Sequence, residues 1–272
     1  MNFRGYARGP SGQVHFQVSG SGMPLLLCHQ SPSSLRQFDP VYALLARAGV
    51  QAIGIDTPGF GQSDVPAQVP TIEDYADSIT CVLDELGIEC ADILGQHTGS
   101  MVAMEATIRH PSRYRRLIMN SPTPFDAGQR TEWLATLIPR QQSWQPRHDG
   151  SHLQEMWDRR NRATGPHWTH LGAMHRHVVQ MLQAGDTLWY GHHASLVYDQ
   201  LGRLPLVKHP CLVFTNTGDA VFKIISRTME VRPDFDYIEL PGGTHDIVDE
   251  QPEAWAAIVA RYVTAATTTL QA

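Results

Sequence analysis

The ten residues Asp92-Ile93-Leu94-Gly95-Gln96-His97-Thr98-Gly99-Ser100-Met101 restrict this chain more than any other stretch. An apolar run, Cys90 to Leu94, leads into Gly-x-His-x-Gly, and a helical run, Thr98 to Arg109, follows at once. A strand that turns so abruptly into a helix crowds its own backbone. The residues two before and two after the bend must therefore be small. The residue at the bend is held in a strained conformation, with its side chain exposed above the sheet. Here that residue is His97. The N–H of Thr98 faces the same space from the positive end of the helix.

The rest of the chain supplies the sheet this turn requires. Residues 2–7 and 12–18 read as paired edge strands, and 12–18 alternates polar and apolar side chains. Pro24 to Cys28 is apolar throughout, as in a strand buried on both faces. Strands at Gln51–Ile55, Cys90–Leu94 and Tyr114–Met119 alternate with helices at Phe38–Ala48, Ile72–Leu86 and Thr98–Arg109. Gly87 supplies a C-terminal cap. After Asp126 the strand signal vanishes until about Leu204. It returns at Cys211–Thr215 and Phe235–Leu240, with helices at Ala220–Val231 and Pro252–Thr267 and a frayed end beyond. Such alternation predicts an α/β fold, a mostly parallel sheet flanked by helices. Residues 1–125 and 206–272 form its core, and 126–205 a helical cap inserted after the sixth strand.

Four further segments resemble the α/β-hydrolase family, in order and over nearly the full length. Leu25-Leu26-Leu27-Cys28-His29-Gln30-Ser31-Pro32 looks like its oxyanion-loop segment. Asp56-Thr57-Pro58-Gly59-Phe60-Gly61-Gln62-Ser63 matches its Asp-x-Pro-Gly-x-Gly-x-Ser turn. Thr217-Gly218-Asp219 fits the acid-bearing loop, and Pro241-Gly242-Gly243-Thr244-His245 the Gly-Gly-x-His segment. Two departures matter. His97 stands where the family carries Ser, Cys or Asp, and Gln30 replaces a Gly beside the oxyanion hole. Ser100 lies inside the first helical turn and does not restore the missing hydroxyl.

The resemblance implies that His245 is a general base and that Asp219 fixes its tautomer, with Asp126 as the rival acid. Such an acid would keep the proton preference on His245 and leave His97 neutral, because two facing imidazoles disfavour double ionisation. His97 could attack an acyl carbon, act as auxiliary base or orient the substrate, or merely fill space. Ser31, Gln30 and Thr98 are the oxyanion-hole candidates, and His29 a structural support for that loop.

The inserted block carries eight of the 14 histidines, His167 among them, without a His-Glu-x-x-His spacing and matching third ligand. No metal and no cofactor are expected. Its tryptophans, Trp168 included, read first as lid packing. Trp189, Tyr190, His192 and His193 are the stretch expected to face an apolar or aromatic small-molecule substrate.

Composition narrows the function classes. A chain of 272 residues with 42% hydrophobic content supports one large buried core. A net charge of −6, with both signs mixed, argues against nucleic acid and membrane surfaces as partners. Cys28, Cys81, Cys90 and Cys211 lack CxxC spacing and read as buried thiols. Neither a signal peptide nor a membrane-length apolar run is visible, so a cytoplasmic protein is expected, with a homodimer left open. Three functions remain. The first is hydrolysis of an ester, a lactone or a carbon–carbon bond. The second is cofactor-independent dioxygenase or lyase chemistry on the same scaffold. The third is a catalytically silent binding protein.

Overall fold

The computed structural model describes residues 2–164 and 170–265. The expectations placed on His167, Trp168 and the last residues of the chain fall outside these. The first half runs β1 (Asn2–Gly9), β2 (Gly12–Ser19), β3 (Met23–Cys28), α1 (Tyr42–Arg47), β4 (Val50–Ile55), α2 (Ile72–Glu85), β5 (Ala91–Gln96), α3 (Thr98–Arg109) and β6 (Tyr114–Asn120). A helical block follows: α4 (Ala127–Gln142), α5 (Ser151–Thr164), α6 (Leu171–Ala184), α7 (Tyr190–Val197) and α8 (Gln200–Arg203). The chain then returns through β7 (Cys211–Asn216), α9 (Ser226–Val231), β8 (Asp236–Leu240), α10 (Ile247–Glu250) and α11 (Pro252–Thr264). No helix among the described residues is long and apolar enough to cross a membrane.

The strands form one sheet in the order β1-β2-β4-β3-β5-β6-β7-β8. The β1–β2 and β2–β4 pairs are antiparallel, and every other pair is parallel. The apolar run in β3 is explained by burial on both sides. Leu26 and Cys28 join the core beneath α2 and α3 with Tyr75, Ile79 and Met101. Leu25 and Leu27 join the opposite core with Phe38, Leu45 and Trp255. Each such leucine contributes about 1.5–3 kcal/mol by leaving water. The indole N–H of Trp255 donates to Asn120 Oδ1 at 2.8 Å, so the largest buried side chain also anchors the end of β6.

Two expected helices are shorter than their apolar pattern. Instead of one helix over Phe38–Ala48, a 3₁₀ turn at Leu35–Phe38 precedes α1. Pro40 lies between them, and a proline lacks the N–H that a continuous helix needs. The Ala220–Val231 run likewise divides into a 3₁₀ turn at Phe222–Ile224 and α9. Strand β5 extends to Gln96, two residues beyond its apolar run.

That extension carries β5 directly into the bend. His97 has φ 48° and ψ −116°, a conformation that a side chain rarely adopts. Its N–H donates to Asn120 O at 3.0 Å, and its carbonyl accepts from Ser100 N at 2.8 Å and Ser100 Oγ at 2.6 Å. The Ser100 hydroxyl therefore serves the turn. A Cβ on Gly95 would lie 1.9 Å from the Gly99 carbonyl oxygen, and one on Gly99 would lie 2.2 Å from that of Cys28. Both obstacles are backbone and cannot swing aside.

Gly95→Ala and Gly99→Ala are each expected to cost about 3 kcal/mol or more, read as a lowered urea midpoint. Gly172→Ala in α6, where an added Cβ meets nothing within 4 Å, should instead gain about 0.5–1 kcal/mol. Equal effects at the three positions would refute this account of the elbow.

Candidate active site

The bend presents the His97 ring toward the loop after β7. His97 Nε2 lies 2.8 Å from Asp219 Oδ2, and Asp219 Oδ1 accepts from the Val221 N–H at 3.0 Å. The Asp219 side chain has no exposed surface, and that of His97 is 17% exposed. Burial alone would raise the Asp219 pKa. The His97 ring and the hydrogen bonds from His97 and Val221 outweigh it and hold the carboxylate down at about 2. An ionised Asp219 can only accept. Nε2 therefore carries the hydrogen, and a neutral His97 ring keeps its lone pair on Nδ1.

This pairing replaces the expected one between Asp219 and His245. An imidazole on the elbow reaches about 2 Å further than a serine hydroxyl. It thus meets the carboxylate directly, without a second ring between them. His245 stands beside it, with ring centroids 6.4 Å apart and an interplanar angle of 59°. Its Nε2 faces a guanidinium N–H of Arg160 in α5, and Arg160 also binds the buried Asp246. Because the arginine can only donate, His245 Nε2 accepts and Nδ1 carries the hydrogen. Burial pushes the His245 pKa down to about 4; Asp246 opposes this, and Arg160 and His97 reinforce it. The 17% of its side chain that stays accessible borders the cavity. At neutral pH His245 is a neutral N–H donor whose other nitrogen is occupied.

Asp126, the rival acid, is the N-cap of α4. It accepts from Gln129 N at the start of that helix and pairs with Arg227 of α9, so its carboxylate is engaged away from His245. Gln30 also departs from expectation, because its N–H donates to Gln37 Oε1 at 2.9 Å and cannot serve an oxyanion. Ser31 and Thr98 do border the cavity. The Gln37 amide then donates to Gln96 Oε1 at 2.6 Å, and Gln96 donates to His245 O at 2.8 Å. These buried amides tie the oxyanion segment, the elbow and the His245 loop into one relay. His29 acts structurally, as expected: its Nε2 accepts from Thr57 N at 3.1 Å, and Nδ1 donates to Gln30 O at 2.8 Å.

Above these groups lies a cavity of about 300 Å³. Phe125, Trp133, Leu137 and Leu196 form its apolar wall, with the Phe125 and Trp133 rings stacked at 5.8 Å. Arg159, Arg160 and His192 line the side contributed by the helical block. Of the expected substrate-facing stretch, His192 lines the cavity, followed one helical turn on by Ser195 and Leu196. His193 points off that face, and Trp189 precedes the helix and packs its ring against Tyr190 and His193. Tyr190 packs against the main core near Gly59. Arg159, Arg160 and Asp246 were missed in the sequence. The arginines lie in a helix with a largely polar sequence, which carries no signal for a site, and only the adjacency of Asp246 to His245 points to that carboxylate.

With this geometry in place, the family follows. The model for the alpha/beta hydrolase fold matches residues 23–227, and the chain belongs to that family. Bifunctional epoxide hydrolase 2 of Mus musculus is 34% identical over 121 residues, 43% of this chain and 21% of that protein. 2-Hydroxymuconate semialdehyde hydrolase of Pseudomonas sp. (strain CF600) is 37% identical over 111 residues, 39% of each chain. This chain therefore spans about a fifth to two fifths of these curated relatives. Among solved structures, an esterase from Thermogutta terrifontis superposes with a TM-score of 0.76 at 22% identity, covering 96% of this chain and 98% of that one.

The electrostatics make stability depend on pH. His192 shares the low value of His245, about 4, through burial, Arg159 and His97. In the unfolded chain both rings take up a proton as pH falls through about 6.5, whereas in the fold they stay neutral until about 4. Stability should therefore fall between pH 6.5 and 4, by at most about 1.4 kcal/mol per pH unit for each ring. His192→Gln should remove one ring's share of that slope in urea titrations. A flat midpoint across this range would contradict the assignment.

Proposed function

We propose that this protein is an enzyme in which the His97–Asp219 dyad, carried on the elbow itself, acts as a general base for hydrolysis of a small ester, lactone or carbon–carbon bond. The 2.8 Å contact between His97 Nε2 and the buried Asp219 carboxylate carries the reading, because it leaves Nδ1 as the basic atom. The names of the relatives, epoxide hydrolase and 2-hydroxymuconate semialdehyde hydrolase, agree with hydrolytic chemistry on this scaffold. In this mechanism His97 Nδ1 takes a proton from water as the water oxygen attacks the carbonyl carbon. The oxyanion is met by the N–H groups of Thr98 and Ser31 and by His245 Nδ1–H. Collapse of the tetrahedral anion breaks the bond to the leaving group, which recovers the proton from His97. The helical block serves as a cap that keeps bulk water from the cavity, and its apolar wall favours an aromatic or aliphatic substrate body.

The same base can remove a proton from an acidic hydroxyl or carbon. One observation favours that second reading: His245 and Arg160 place hydrogen-bonding and positive groups beside the base, where an organic anion would form.

A panel of aryl esters, lactones and hydroxylated aromatics, with oxygen uptake monitored, tests both. The first reading expects turnover without oxygen consumption and a fall in kcat/KM of about 10²–10⁴ in both His97→Gln and Asp219→Asn. Full activity in Asp219→Asn would refute the dyad. Oxygen consumption tied to product would favour the second reading.

A further inference from the structure

Among the described residues, the two arginines that line the cavity differ in their partners. Arg160 is bound to Asp246, and Arg176 in α6 to Asp249. Arg159 lines the same cavity, and among the described residues no carboxylate is hydrogen-bonded to it. Its nearby acid, Glu155, is engaged by Arg147 at 2.5 Å, while Arg140 and Arg162 add further positive charge. His192, on the facing helix α7, lies within the field of Arg159 and has its Nδ1 against the Gln141 amide at 2.9 Å. This is a positive wall inside a chain of net charge −6, and among the described residues no carboxylate is hydrogen-bonded to Arg159 to account for it.

We propose that Arg159 is the anchor for a carboxylate on the substrate, held at the side of the cavity that the helical block contributes. A guanidinium presents paired N–H donors that match the two oxygens of a carboxylate, and partial burial strengthens the contact. The stacked Phe125 and Trp133 rings then form the wall for the apolar body of the same molecule. The substrate class becomes an organic acid whose carboxylate is spared and whose ester, lactone or carbon–carbon bond is presented to His97. This assignment rests on the cavity being the substrate site proposed above, and it concerns binding rather than turnover.

The test is therefore a binding measurement. Benzoate and benzamide have nearly the same shape and differ in charge. Each is titrated into the full chain at pH 7 in low salt and followed by calorimetry and tryptophan fluorescence. Benzoate should bind about tenfold or more tightly than benzamide. Arg159→Gln should bring the ratio to about one while leaving benzamide affinity intact, and Arg159→Lys should keep part of the preference. If the Gln variant does not fold, Arg159→Met, which keeps the aliphatic stem, takes its place. No preference in the wild type, including failure of both probes to bind, overturns the proposal. A preference that survives loss of the guanidinium overturns it equally. Turnover in the hydrolysis panel is read separately, so a failed dyad and a failed anchor give different results.

Discussion

One buried carboxylate determines how the rest of the site is arranged. Asp219 has no exposed side-chain surface, so its charge must be met inside the protein. The His97 ring and the Val221 N–H meet it. An unpaired carboxylate at that depth would be strongly destabilising, whereas a satisfied one is held ionised and can only accept hydrogen bonds. That restriction fixes which nitrogen of His97 carries hydrogen and which faces the chemistry. It also leaves His245 without the acid that a serine-bearing elbow would have handed to it. His245 then takes its partners from the helical block and from its own loop, in Arg160 and Asp246.

The frame of this arrangement was legible in the sequence, because its constraints are local. A glycine on each side of the bend, an apolar run before it and a helical run after it declare a strand–turn–helix junction wherever they occur. The order of the strands around the insertion is likewise written in the alternation of apolar runs. The partnerships were not legible. Asp219 was recognised as an acid, but the choice between two histidines depends on how far each side chain reaches in space. The position of Gln30 in the loop suggests an oxyanion donor, but the side chain of Gln37, seven residues on, takes its N–H. Arg159 and Arg160 lie on a helix whose sequence is polar on most sides, and only packing against the core shows that they turn inward. The helix breaks at Pro40 were visible in principle, since a proline interrupts the backbone ladder whatever the apolar period says.

In the proposed mechanism the two rings divide the chemistry by environment rather than by residue type. His97 is bound to a carboxylate, and His245 to a guanidinium. The first partner leaves a lone pair available to the cavity and the second leaves an N–H. Neighbouring groups that differ only in what faces them from behind can thus act as base and as donor in one step. The amide relay through Gln37 and Gln96 maintains this division. It links the loops that hold the two rings, and each amide both donates and accepts, so no member can rotate without breaking a buried bond.

Placing an imidazole at the elbow also changes what the strained backbone is for. In a serine-bearing turn, the strain exposes a short hydroxyl that depends on a separate base. With His97 the same φ of 48° lifts an imidazole above the sheet, beside the Thr98 N–H at the start of α3, and in the proposed mechanism that ring is itself the base. Covalent catalysis is no longer required, because the nucleophile can be water or the reaction can begin with deprotonation of the substrate. The cost of the strained turn is retained only if the exact placement of that ring matters. A histidine serving merely to fill space would gain nothing from a conformation that glycine adopts freely. The close-packed glycines, the hydrogen bonds locking the bend to Asn120 and Ser100, and the satisfied acid behind the ring together hold the His97 side chain in the single placement that the proposed mechanism needs.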